Sequence, residues 1–415
     1  MVSAGRDAVL EQSGIYAGEH AVIDAGRDAV FTAAEVTAGG SIVVAAGRDI
    51  ISNTASETVT HTTQTQKGRT TTTTSISDET ITASTFQAGG DIAMAAGRDI
   101  HLTAANVNSD EGAIALSAKR DVTLDTAHET DTFTQDSVSK RKGTFSSTKT
   151  TTHDEVTDTY AIGTTLSGEK VAIRAGNEVT INGSDVVSTH GTTISGEKGV
   201  KIVNDYHTST ATHSSSKKTS GAFGNGGGSF TVGSKKQENV SESSSSSVRG
   251  STVGSLHGDT TIVSGQGAVH IQGSTVASPE GDVIVLGRSV NIAEAYNTST
   301  YHGVTKTKQS GVSVGASVPV VDAAVAAYGS ASSVGESRNG RVNALAAANA
   351  AYDTYQAANA VANAMSGGQA ASVSITYGEQ KTRDEINASS REVVGSSINA
   401  GGRTTIIATG GGADS

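Results

Sequence analysis

Cysteine is absent from the 415 residues, tryptophan is absent, proline occurs twice and aromatic side chains make up only 4% of the chain. Without cysteine there are no disulfides, no thiolate metal sites and no cysteine nucleophile, and nothing locks the chain during passage through an oxidising compartment. With so few aromatics, a conventional globular core would have few large side chains to bury. No apolar stretch approaches the roughly 18 residues a membrane-spanning helix needs, and no secretory apolar region follows Met1. The net charge of −11 is spread thinly, shows no basic stripe along the chain and speaks against nucleic acid as a partner. Glycine is abundant at 49 residues. With Ser, Thr, Val and Ile throughout, it favours a narrow, turn-rich, repetitive β structure over a disordered linker.

The repeat is regular. The Arg-Asp pairs ending at Asp7, Asp28 and Asp49 recur every 21 residues, Ile92 maps onto Ile114 and Ile100 onto Val122 at 22, and Val179 onto Val200 and Val269 onto Val290 at 21. In Ala88–Leu102, Ile92 and Met94 alternate with Asp91, Ala93 and Ala95, as one face of a strand alternates with the other. Three short apolar segments per period (Ile92/Met94, Ile100/Leu102, Val107) predict one coil of a parallel β-helix. Above the coil lies a two-coil unit, seen at 15–51, 86–124, 166–202 and 256–292, and the last two superpose at a constant offset of 90.

The chain is therefore expected to be one all-β domain over 1–415, a solenoid with core blocks 1–51, 86–124, 166–202, 256–292 and 398–415. About nine coils stacked 4.8 Å apart give a rod of the order of 40 Å. Inward Ile, Val and Leu form a thin continuous core, and Ala88, Ala96 and Ala105 fill tight corners beside the glycines. Arms fill the gaps at 52–85, 125–165, 203–255 and 293–397. They leave through similar segments (Asn53-Thr-Ala-Ser-Glu-Thr58, Asp125-Thr-Ala-His-Glu-Thr130) and return through similar ones (Ala83-Ser-Thr-Phe86, Gly163-Thr-Thr-Leu166, Gly250-Ser-Thr-Val253, Gly395-Ser-Ser-Ile398). Three arms read as polar β-hairpins with tips at Lys67-Gly68, Lys142-Gly143 and Gly224–Gly228. A lone polar hairpin is marginal in water, so the arms are expected to pack on each other or on the solenoid flank. No face is clearly apolar, which specifies register only weakly.

The fourth arm brackets an alanine-rich stretch between strands near 299–317 and 371–394. Pro319 suits a helix start and Gly367-Gly368 a stop, which predicts a helical hairpin over about 319–367. Val342, Leu345, Tyr352 and Tyr355 mark the apolar side of its second helix, with Arg341 and Asp353 its only charges. That side is the candidate membrane or receptor contact; the plainer reading is that the two helices cover each other. Both ends read as cut from something longer, because Val2 already lies inside the repeat and Ile398–Gly402 opens a new one.

Catalytic and metal chemistry find little footing. Arg6/Asp7, Arg27/Asp28, Arg48/Asp49 and Arg98/Asp99 sit at a turn in successive coils, which suits a polar corner ladder better than an active site needed once. No carboxyl pair stands out for glycoside hydrolysis, so a β-helix polysaccharide-degrading enzyme is the minor alternative. The glycine-aspartate turns resemble calcium-binding nonapeptides, but Gly89-Gly90-Asp91 lacks the middle glycine and the nine-residue period. Histidines 61, 128, 153, 207 and 213 lie on arms; His207 and His213 share a strand face, with no neighbouring carboxylate or cysteine in sequence to complete a zinc set. No Gly-x-Ser-x-Gly, phosphate-loop or His-Glu-x-x-His motif occurs, and Ser243–Ser247 reads as polar strand. The expectation is no enzyme, no cofactor and no metal.

The Ala-Gly-Arg-Asp-Ile and Ala-Gly-Gly-Asp-Ile turns, with arms returning as Gly395-Ser-Ser-Ile-Asn-Ala-Gly-Gly402, resemble the haemagglutinin repeats of filamentous haemagglutinins and of contact-dependent growth inhibition exoproteins. The resemblance covers essentially the whole chain and implies a right-handed parallel β-helix. It further implies export through an outer-membrane two-partner secretion transporter and attachment to the Gram-negative cell surface. The implied role is adhesion or delivery of a carboxy-terminal toxin, with flanking coils of the same polypeptide and a target-cell surface or membrane as partners. A membrane-associating role in toxin translocation is a further alternative. The family's amino-terminal secretion domain, pretoxin motif and toxin domain are not among these residues, which leaves adhesin and toxin carrier both open.

Overall fold

A computed structural model describes residues 1–226, 229–317 and 372–410. The helical hairpin expected at about 319–367, and with it Val342, Leu345, Tyr352 and Tyr355, lies outside the described residues.

The described residues form an all-β parallel β-helix carrying long β-hairpins. Each coil contributes one short strand to each of three parallel sheets. The first sheet has ten strands, from Val2–Ala4 to Thr404–Ala408; the second has nine, from Ala8–Glu11 to Ser289–Ala293; the third has nine, from Gly14–Ala17 to Ser397–Ala400. The register follows the repeat: Ile92 pairs with Ile42 and Ile114, and Ile100 with Ile50 and Val122. Alternation does the rest, since Ile92 and Met94 are 0% and 1% exposed while Ala95, next in the same strand, faces out. Stacked Ile, Val and Leu thus meet their own kind above and below, a continuous column that needs few aromatics. The two that enter it, Phe31 and Phe86, meet edge to face with ring centroids 4.9 Å apart. Ser52 stands between Phe31 and Leu102 in the second sheet, a small side chain in the same coil as Phe86.

Corners carry their own ladders. At the turn from first to second sheet, each aspartate accepts the backbone N–H of its counterpart one coil on: Asp28 N–H to Asp7, Asp49 to Asp28, Asp99 to Asp49 and Asp121 to Asp99, at 3.1–3.3 Å. Each arginine reaches back to the preceding carboxylate, from Arg27–Asp7 at 3.0 Å to Arg98–Asp49 at 3.5 Å. The Arg-Asp pairs are therefore structural caps on the first five coils, from Arg6-Asp7 to Arg120-Asp121. Glycine beside them permits close stacking; a Cβ on Gly97 would lie 2.1 Å from the Gly47 carbonyl oxygen.

Candidate interaction surface

Among the described residues the hairpins leave the solenoid at one corner, between second and third sheets, and from alternate coils. In the coils without one, that corner is a tight turn through a left-handed residue: Gln12, Ala33, Ala104, Gly183 and Gly273, with φ of 45–54°. In the others the chain runs out and back as Ala55–Lys67 and Thr70–Thr82, Ala127–Lys142 and Ser146–Ile162, Asp205–Gly226 and Ser229–Arg249, and Ala295–Ser317 and Ser372–Val394. Gly183 sits between two hairpin roots, its missing Cβ 2.8 Å from Thr126 and 3.0 Å from Asp205.

Alternate branching has a geometric consequence. Two coils rise about 9.6 Å, the width of two hydrogen-bonded strands, so each hairpin arrives beside the last at strand spacing. All eight strands pair edge to edge in one antiparallel sheet. Their lengths grow along the chain from 13 residues in the first hairpin to 23 in the last. At about 3.3 Å per residue the last hairpin reaches about 75 Å, so the arm sheet projects further than the stalk is tall. Register, weakly specified within one polar hairpin, is held by the neighbours. One transverse row brings Ile76, Phe133, Val156 and Ala211 side by side, one apolar residue per strand. Sequence alternation gives no sign of it, because each of these residues has polar residues on both sides in its own strand and sits in no regular apolar alternation.

Where hairpins join the solenoid, a staircase of hydroxyls, buried at Thr164 and Ser251 and half-buried at Ser396, binds one coil to the next. The Thr164 hydroxyl bonds to the Leu102 carbonyl at 2.8 Å, Ser251 to Val203 at 2.7 Å and Ser396 to Ala293 at 2.6 Å. Each also accepts from a backbone N–H one coil earlier: Ala105 to Thr164, Ser184 to Ser251, Ser274 to Ser396. These are the Ser and Thr of the shared return segments. The signal was in the sequence as a small-residue, hydroxyl, hydroxyl pattern.

The arm histidines do have carboxylates, supplied by neighbouring strands and hairpins. His128 Nε2 lies 2.9 Å from Asp205 across two hairpin roots, and His213 bonds Asp154. His153 Nδ1 lies 2.8 Å from Asp136, which with Glu155 at 3.4 Å lifts its pKa above the ordinary histidine range against a smaller cost of burial. His207 is pushed the other way, by burial first and then by Arg249 and His128, with Asp205 opposing. Its Nδ1 accepts the Ala161 N–H at 3.0 Å, which requires that nitrogen unprotonated. Among the described residues no group of three or more His, Asp or Glu could hold a metal. No helix among them is long and apolar enough to cross a bilayer, which leaves crossing by strands untouched.

The far end of the last two hairpins is apolar and exposed. Val232, Val312 and Tyr377 lie in register at 53%, 40% and 85% exposure, beside Phe230 at 50% and Ile375 at 76%.

A parallel β-helix that spaces hairpins into a projecting sheet is a repeat scaffold, its large surface lying outside its core. Residues 66–152 and 232–364, together more than half of the chain, match the hemagglutinin repeat family, and the chain belongs to it. It is 34% identical, over 72% of its length, to tRNA nuclease CdiA of Escherichia coli strain STEC_O31. It is 30% identical over 75% to tRNA nuclease CdiA-2 of Burkholderia pseudomallei strain 1026b, and 32% over 72% to 16S rRNA endonuclease CdiA of Enterobacter cloacae. The aligned parts cover 9%, 10% and 9% of those proteins, so the chain spans about a tenth of the length of each. No solved structure matches.

Proposed function

We propose that this chain is a non-catalytic interaction segment of a large secreted exoprotein, a stalk whose arm sheet meets another cell during adhesion or delivery of a carboxy-terminal toxin. The observation that carries this reading is the alternate-coil branching, which commits about two fifths of the described residues to one projecting sheet. The relatives' names place a nuclease somewhere in those proteins, and the alignment to about a tenth of each supports a different duty for these residues. Export by an outer-membrane two-partner secretion transporter and residence on the Gram-negative surface belong to the same proposal. The test is binding of the labelled 415-residue chain to Gram-negative cells, against a variant with the third and fourth hairpins trimmed to the length of the first. Binding that falls with trimming is expected; equal binding contradicts it, as would reducing sugar released from glycans.

A second reading, membrane association of the arm tips, is favoured by the exposed cluster of Phe230, Val232, Val312, Ile375 and Tyr377. Flotation with neutral phosphatidylcholine vesicles, comparing the chain with one lacking 319–367 and one with Phe230→Ser, Ile375→Ser and Tyr377→Ser, separates the agents. Loss only in the triple variant assigns contact to the strand ends; loss only in the deletion assigns it to the segment holding Val342, Leu345, Tyr352 and Tyr355; no flotation of the parent rejects the reading.

A further inference from the structure

Across its strands the arm sheet carries a feature that the order of the chain hides. Lys140 stands opposite Lys149, Lys149 opposite Lys218, Lys218 opposite Lys236, Lys236 opposite Lys308 and Lys308 opposite Lys381. Lys140 N–H also donates to the Arg69 carbonyl at 3.1 Å, which sets a seventh cation at the head of the row. Opposed residues of an antiparallel sheet share a face, and all seven side chains are exposed. At about 4.8 Å per strand the row runs about 29 Å. It is the basic stripe that the sequence, taken in order, does not show.

Like charges set directly opposite weaken a sheet, so an unbroken row calls for a counter-charge. The protein supplies only part of it. Glu238 pairs with Lys236, and Glu379 lies 2.8 Å from Lys308 and 3.0 Å from Lys381. Lys140, Lys149 and Lys218 form no ion pair among the described residues. Toward the tips the next row on this face carries Ser147, Ser220, Ser234 and Ser310, hydroxyls suited to oxyanion contact. Beyond it a glycine row (Gly221, Gly233, Gly311, Gly378) admits no side chain in places, and beyond that begins the exposed apolar end. From Lys236 to Val232 is four residues, about 13 Å along the strand. That separation reaches from a phosphate layer to the upper acyl chains when the apolar end is seated at a bilayer interface. A single-stranded nucleic acid would want aromatic platforms among the cations, and the row has none.

We propose that Arg69 and the six-lysine row form a linear binding site for the phosphate groups of an anionic lipid surface, aligning the stalk along that surface while the apolar strand ends dip into it. The site rests on the reading of the strand ends as membrane-contacting.

The test uses the 415-residue chain and vesicles of phosphatidylcholine with or without phosphatidylglycerol. Phosphatidylglycerol is expected to strengthen binding, with a steep loss in salt. Lys140→Gln, Lys149→Gln and Lys218→Gln together should abolish that gain, by at least about tenfold, leaving binding to neutral vesicles unchanged. Arginine at the same three positions should restore it. Lys119→Gln, Lys170→Gln and Lys198→Gln, exposed on the solenoid, remove the same charge and should change nothing. Equal loss in this control, or no loss in the row variant, overturns the site while leaving the membrane reading to its own test. Preferential capture by single-stranded oligonucleotide, or by free polyphosphate at lower concentration than lipid, overturns the assignment to lipid.

Discussion

Ser52 occupies a position where Phe31 and Leu102 stand directly above and below, yet its buried hydroxyl has no hydrogen-bond partner. A smaller side chain is needed there because Phe86 fills the coil from the opposite side; the hydroxyl is not. Ser52→Ala should raise stability by about 1 kcal/mol, because it removes an unsatisfied buried group without opening much space. A higher urea midpoint at unchanged slope is the expected result, and a lower one contradicts the packing described. Gly183 is the opposite case, required for both its φ of +47° and its lack of a Cβ between two hairpin roots. Gly183→Val should cost about 2–4 kcal/mol, whereas Gly395→Val, with open space around it, should cost little. Inward and outward residues of the coils were legible from alternation alone. The hydroxyl staircase was visible as a pattern but not as a function, because nothing in Ala83-Ser-Thr85 or Gly250-Ser-Thr252 names the carbonyl each hydroxyl meets.

The second, third and fourth hairpins draw charge partners from their own or adjoining strands, and pH should show it. His153 is held above the ordinary histidine range by Asp136, so its contribution to stability is present below the unfolded-state pKa and fades as pH rises through the folded value. His207, held below that range by burial and by Arg249, contributes in the reverse sense: its share is lost as pH falls through the folded value, when protonation breaks the bond from Ala161. Histidine proton resonances followed by NMR should give the two midpoints on opposite sides of the ordinary value. Asp136→Asn should bring the His153 midpoint down and leave His207 where it was; a His153 midpoint that stays put contradicts the assignment. These pairings were closed to sequence reading. His213 finds Asp154 at 59 residues' separation and His128 finds Asp205 at 77, distances set by how hairpins stack.

At the scale of the whole molecule, two periods fit together: a coil rise of about 4.8 Å and a hairpin two strands wide. Branching from every second coil is what lets separate polar hairpins, each marginal alone, become one sheet. The coil and the two-coil unit could be read from the spacing of Asp7, Asp28 and Asp49 and from the offset of Val179 and Val269. The merging of the arms could not, since Thr- and Ser-rich strands such as Thr70–Thr82 carry no alternation to choose a partner. The lysine row was hidden for the same reason, its members scattered from Lys140 to Lys381. The absence of native cysteine makes the joint between hairpins directly testable. Thr157 of the second hairpin faces Thr210 of the third, while Ser214 lies four residues further along, about 13 Å away. Under mild oxidation, Thr157→Cys with Thr210→Cys should cross-link rapidly and nearly completely, and Thr157→Cys with Ser214→Cys should not. Equal cross-linking of both pairs, or of neither, would contradict a single registered arm sheet.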